Sequence, residues 1–179
     1  MREGLLVICI VVVGVIFSCR KNPPDSVLPP ITKTGEHTLG FFLNNQTWVP
    51  YDRGNHEVFE LPKPQLEEDG SFKISATRID EDESCRNWFC IEISNFDGIG
   101  EYQLSSNECT SPYQSFYYGY HGNRAAKYYE IDDSKPHIME VTFFDPKHKI
   151  IAGNFEFDAI SNIKDTIRIR SGRFDLVYE

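Results

Sequence analysis

The chain has 179 residues, a formal net charge of −9, 13% aromatic residues and five cysteines. That length accommodates one domain with a sizeable core, and the acidic balance argues against nucleic acid and anionic lipid surfaces as partners. The aromatic share, much of it Tyr and Phe, suits β structure.

The chain opens on a segment that has to be set apart from the fold. Leu5–Phe17 is apolar without interruption over 13 residues. That is short of the ~20 a transmembrane helix needs and fits the apolar region of an export signal, about 7–15 residues. The run ends in Ile16-Phe17-Ser18-Cys19, which resembles the lipobox of bacterial lipoprotein precursors, a small residue just before a cysteine. The resemblance implies a signal peptide over 1–18, cleavage before Cys19, and acyl chains on Cys19. Two or three chains anchor durably where one does not, at roughly 0.8 kcal/mol per buried CH₂. The expected address is the cell envelope, with the membrane as partner through the lipid.

Residues 19–35 contain the pairs Pro23-Pro24 and Pro29-Pro30, which block helix and central strand and favour extended chain. They are expected to form a tether reaching about 50 Å at roughly 3 Å per residue. A single all-β domain is expected over 36–179.

From residue 36 the apolar pattern has period two. Leu39, Phe41 and Leu43 alternate, and Asn44-Asn45 supplies a tight turn into Thr47-Trp48-Val49. Phe72, Ile74 and Ala76 alternate, as do Phe89, Ile91 and Ile93; a turn at Asp97-Gly98 leads into Tyr102-Gln103-Leu104. Phe116, Tyr118 and Tyr120 form a further strand, with Tyr128–Ile131 returning beyond it. Ile138–Asp145 is apolar on both faces, which predicts that something covers the second face. Ala152–Ala159 and Thr166–Arg170 read as an antiparallel pair. Pairing residues whose numbers sum to 324 sets Phe157 against Ile167 and Phe155 against Ile169 on one face. It sets Glu156 against Arg168 and Asp158 against Thr166 on the other. The last run, Phe174–Tyr178, follows Ser171-Gly172, where a bulge or bend is expected. About eight to ten short strands predict an antiparallel β-sandwich or flattened β-barrel.

Gly153-Asn154-Phe155-Glu156-Phe157-Asp158-Ala159 followed by Ile169-Arg170-Ser171-Gly172-Arg173-Phe174-Asp175 resembles the "GxFxFxA … IxxGxFD" ending of small, uncharacterised Bacteroidota lipoproteins. Leu39–Pro50 is similar to their opening hairpin; residues 51–135 carry no such likeness. The resemblance implies an envelope address and an all-β fold, and no activity. Some members carry an acidic cluster after the lipidated cysteine that directs surface display. Arg20-Lys21-Asn22 is not acidic, which favours the periplasmic face of the outer membrane.

Site chemistry is sparse. Three cysteines besides Cys19 would remain in a mature chain, and outside the cytoplasm an odd count suggests one disulfide and a spare thiol. A hairpin turning at Asp97-Gly98 would bring Cys109 near Cys85, so Cys85–Cys109 is the first pairing and Cys90–Cys109 the second, with Cys85–Cys90 or no disulfide last. No CxxC, HxH or HExxH arrangement occurs, so no metal or other cofactor is expected; the acidic run Asp80–Glu83 lacks the glycine and carbonyl spacing of a calcium loop. No GxSxG elbow or phosphate-cradling loop appears, and a non-enzymatic role is expected. Tyr113 and Tyr117, beside His121, would face away from the core and offer a surface to a protein or glycan partner. Arg168, Arg170 and Arg173 would become a recognition stripe only if replacing Arg168 abolished binding. The expected function is therefore an envelope binding or interaction module, ahead of a lipocalin-like carrier and an envelope hydrolase.

Overall fold

The computed structural model describes residues 27–50, 62–79, 85–104, 116–120, 127–161 and 163–179, with the side chains of 85–86 and 116–120 outside the description. Cys19, Cys109, Tyr113 and His121, and the side chains of Cys85 and Tyr117, therefore lie outside the described residues. Among those described there is no helix and there are eleven strands: β1 (Thr38–Leu43), β2 (Gln46–Trp48), β3 (Lys63–Leu66), β4 (Phe72–Ile79), β5 (Cys85–Ile93), β6 (Gly100–Gln103), β7 (Phe116–Tyr120), β8 (Lys127–Ile131), β9 (Ile138–Asp145), β10 (Ile150–Ser161) and β11 (Thr166–Val177). All the pairings are antiparallel.

The order is β2-β1-β11-β10-β8-β7-β5-β4-β3, and it branches at β10. One edge of β10 pairs with β11 along its length. The other edge is shared: β9 takes Ile150–Glu156 and β8 takes Ala159–Ser161. β9 in turn pairs with β6. Four strands separate β1 from β5 along this path, yet the rings of Phe41 and Phe89 lie 4.8 Å apart. The sheet therefore folds over on itself without closing into a barrel, and the fold is an all-β sandwich.

Its core follows from the alternation. Phe41, Phe72, Phe89, Phe155 and Phe157 are fully buried. Phe89 from one layer meets Phe41, Phe155 and Phe157 from the other at centroid distances of 4.8, 5.5 and 6.5 Å. Each ring withdrawn from water contributes about 1.5–3 kcal/mol, and the offset and edge contacts add to that. At Asn44-Asn45, φ is +49° and +66°, the doubly left-handed geometry of a type I′ hairpin turn.

The turn at Asp97-Gly98 does not close a β5–β6 hairpin. β5 pairs with β4 and β7, and β6 pairs with β9 in the other layer. The connection is tied across by Phe96, whose ring is 5.6 Å from Phe72 and 4.9 Å from Phe144. The Tyr102 hydroxyl reaches back to Asp97 Oδ1 at 2.6 Å. Loss of that hairpin removes the geometric ground for placing Cys109 beside Cys85.

The C-terminal hairpin keeps the expected inward faces but shifts by two residues. Phe157 faces Ile169, not Ile167; Asp158 rather than Glu156 faces Arg168; Phe155 faces Gly172, not Ile169. The turn sits further along the chain, with the Ser161 amide donating to the Asp165 carbonyl and Lys164 at φ +65°. A single register could not have served all of β11. Ile167 and Ile169 point inward on odd numbers, whereas Phe174 and Leu176 point inward on even ones. An extra β11 residue resolves this: both β10 and β1 show the register break, at Ser171, whose φ is +51°. This is the β-bulge expected at Ser171-Gly172. A second bulge at Thr142 of β9 turns Phe144 inward as well as Val141, so part of the run that reads as apolar on both faces belongs to one face.

Beyond the β11 bulge, Gly153 pairs with Phe174 and Phe155 with Gly172. A Cβ on Gly172 would come within 2.5 Å of the Phe155 ring, and one on Gly153 within 2.2 Å of the Glu140 carbonyl oxygen and 2.8 Å of the Phe174 ring. The closest atom to a Cβ on Gly100 is 3.7 Å away. Gly153→Ala and Gly172→Ala should each destabilise the protein by about 1–3 kcal/mol or more, since neither neighbour can retreat from a packed layer. Gly100→Ala should stay within about 0.5 kcal/mol of the parent. Urea unfolding midpoints of the three variants check the ranking.

Candidate functional site

The bulge and the alternation together decide what faces outward. On β10, Phe155 and Phe157 go into the core, so Asn154, Glu156 and Asp158 face away from it. The ladders align Glu101 of β6, Glu140 of β9, Asn154 of β10 and Arg173 of β11 in one row across the sheet. These side chains floor an open groove of about 690 Å³, walled by Ile31 on one side and by Lys135-Pro136, just before β9, on another.

The wall carrying Ile31 comes from the proline-rich segment. The buried Asp175 carboxylate accepts backbone N–H groups from Thr34, Gly35 and Glu36 at 3.0, 2.8 and 3.3 Å. Arg173 Nη1 donates to the Pro29 carbonyl, and Lys33 Nζ to that of Thr142. Pro29 lies so close over Gly40 that a Cβ there would meet the proline ring at 2.6 Å. Of the segment expected as a tether, residues 19–26 lie outside the described residues, and those from Leu28 onward form a strap bound to the domain. The cause is the Asp175 carboxylate, which gathers three amides that free spacer would leave to water.

Burial works to raise the Asp175 pKa. The neighbouring Thr32 hydroxyl and the amides of the strap outweigh it, and the net shift is downward. A carboxyl lowered by folding stabilises the native state above its unfolded value of about 3.9, and that contribution is lost as pH falls through the lower folded value.

The groove's charges are unevenly satisfied. Arg170 is fully engaged, donating to the Phe157 and Ile169 carbonyls at 2.9 and 2.8 Å and to Asp158 Oδ1 at 2.5 Å. Glu156 accepts the amide of Ser171 on the bulge. Glu101 and Glu140, both exposed, face each other directly across β6–β9 and have no ion pair among the described residues. Directly opposed like charges destabilise a sheet. Arg173 spends Nη1 on a neutral carbonyl and has no carboxylate partner among the described residues. The conditional arginine stripe is split: Arg170 and Arg173 line the groove, and Arg168 does not.

Of the site residues expected from sequence, Tyr117 lies in β7 opposite Trp88 and Tyr128 in the backbone register. Its side chain, with Tyr113 and His121, is outside the described residues. Cys90 is disulfide-bonded, and it is buried on the face of β5 turned away from the shared core. Cys85 begins the same strand five residues earlier, about 16 Å away at roughly 3.3 Å per residue, against the ~7 Å limit for a disulfide. Cys9, Cys19 and Cys109 lie outside the described residues, and if Cys9 leaves with the signal and Cys19 carries lipid, as the lipobox resemblance implies, the second of the expected pairings, Cys90–Cys109, is the one to test. Among the described residues no three His, Cys, Asp or Glu side chains converge as a metal site would need. Sequence reasoning missed Glu101 and Glu140 altogether, because residues so distant in sequence leave no local sign that their strands pair.

No protein-family model, curated protein or solved structure matches this chain.

Two outcomes are expected here. Asp175→Asn should destabilise the protein by about 1–3 kcal/mol at pH 7 and speed tryptic cleavage after Lys33 in the strap. The gap from the parent should close as both are titrated below about pH 4; urea midpoints across pH 2–7 read this out. Non-reducing peptide mapping should return Cys90 linked to Cys109, with Cys85 alkylated only after unfolding or as a free thiol.

Proposed function

We propose that this protein is a lipid-tethered, non-enzymatic binding module of the cell envelope, anchored through Cys19 at the periplasmic face of the outer membrane, with the groove over β6, β9, β10 and β11 as its binding surface. The observation that carries this reading is the groove itself: charged groups without ionic partners among the described residues stand at both ends of a floor made rigid by the strands beneath it. Sites built on strands hold their geometry better than sites on loops. The filled interior supports a module over a lipocalin-like carrier, since Phe41, Phe89, Phe155 and Phe157 occupy the space where a carrier keeps its cavity. The address rests on the lipobox resemblance at Ile16–Cys19, and the likeness of residues 153–159 and 169–175 to the ending of Bacteroidota lipoproteins supports it.

The test is made on the whole chain in a bacterial host. The membrane-fraction protein should begin at Cys19 and carry acyl mass, and Cys19→Ala should leave an uncleaved or soluble product. A photo-crosslinking residue placed at Asn154 should give discrete adducts in intact cells, while one at the exposed Glu68 should not. Equal labelling at both positions, or none at 154, defeats the groove as the binding surface.

A further inference from the structure

We infer that the groove takes a short extended peptide with free termini, its ammonium group at Glu101 and Glu140 and its carboxylate at Arg173. This rests on the groove being the binding surface, and adds the class of ligand. The argument is one of charge placed at a distance. Glu101, Glu140, Asn154 and Arg173 occupy consecutive strands in one row. Three strand spacings separate the first from the last, about 14 Å at roughly 4.8 Å each. An extended chain advances about 3.4 Å per residue, so four residues bridge the two ends.

Each end is built for its half of the ligand. Two carboxylates facing each other repel, and an ammonium group between them relieves that repulsion while donating to both. Lys135, on the wall, makes no ion pair with either. At the other end the Arg173 guanidinium keeps donors beyond the one given to Pro29, and a guanidinium fork matches a carboxylate. Asn154, between them, carries both a donor and an acceptor for a peptide unit. Ile31, Pro136 and Ile138 supply apolar walls for side chains. Competing ligand classes fit less well. Among the described residues the one aromatic lining the groove, Phe155, has its ring in the core and offers a sugar no face to stack on. Mixed charge likewise disfavours a polyanion or a polycation.

The experiment uses the full chain in detergent micelles, with alanine oligopeptides of two, four and six residues as probes and backbone amide NMR shifts as readout. Tetra-alanine with free termini should shift the amides of Glu140, Asn154 and Arg173, and bind at least fivefold more tightly than di-alanine. N-acetylation should weaken it at least fivefold, as should C-terminal amidation. The double variant Glu101→Gln, Glu140→Gln should lose the discrimination against the N-acetylated peptide and keep that against the amidated one. This separates a positioned ammonium site from a general loss of folding. Binding indifferent to blocked termini or to length overturns the inference, as does no binding at all. If crosslinks still form at residue 154 while tetra-alanine fails, the binding module stands and the peptide assignment falls. If both fail, both readings fall.

Discussion

Across the β10–β11 ladder two phenylalanine rings each lie over the glycine on the opposite strand, Phe155 over Gly172 and Phe174 over Gly153. The rings are accommodated only because those positions carry no Cβ. The same rings then reach into the core, where they stand 6.4 Å apart and Phe155 meets Phe89 of the other layer. The spacing Gly-x-Phe on both strands is what an antiparallel pair needs to form this reciprocal arrangement once the register is set. An aromatic over a cross-strand glycine shields backbone that would otherwise be open to water, and here it also couples hairpin register to core packing. A slip of one residue would leave one ring in the core and turn the other out.

The bulge at Ser171 is what reconciles this arrangement with the rest of β11. Before it, Ile167 and Ile169 pack inward; after it, Phe174 and Leu176 do. The extra residue therefore changes the parity of the strand, and it aims Arg170 and Arg173 together toward the outer face. Ser171 itself hands its amide to Glu156, so the backbone group freed by the bulge remains satisfied. One irregularity thus serves the core on one side and shapes the groove on the other, as bulges near functional surfaces tend to do.

How much of this was legible in the sequence depends on how local each cause is. Period two, the Asn44-Asn45 turn, the bulge at Ser171-Gly172 and the inward faces of β10 and β11 all rest on neighbouring residues, and the structure carries them. The two-residue shift of the C-terminal hairpin was not legible, because Phe155, Phe157, Ile167 and Ile169 satisfy an alternating pattern in either alignment and the loop decides between them. The Asp97-Gly98 segment looks like any hairpin turn, and only Phe96 and Tyr102, packing across layers, show it to be a crossover. Nor could the proline-rich segment disclose that its amides belong to a carboxylate 140 residues away at Asp175. The groove is assembled from four strands, two of them distant in the chain, and so had no signature of its own.

The strap and the β1–β11 ladder make the two ends of the described chain neighbours, with Thr38 opposite Asp175 and the amide of Thr34 on that same carboxylate. Contacts so remote in sequence close slowly, because the chain loses loop entropy before the pairing rewards it. Until the last dozen residues exist, β1 has only its hairpin partner β2, and the carboxylate that holds the strap amides is missing. During synthesis, then, the amino-terminal half cannot complete its layer before β11 is made. For a chain exported as proposed above, a layer that closes only once β11 is made would favour passage through the membrane ahead of folding.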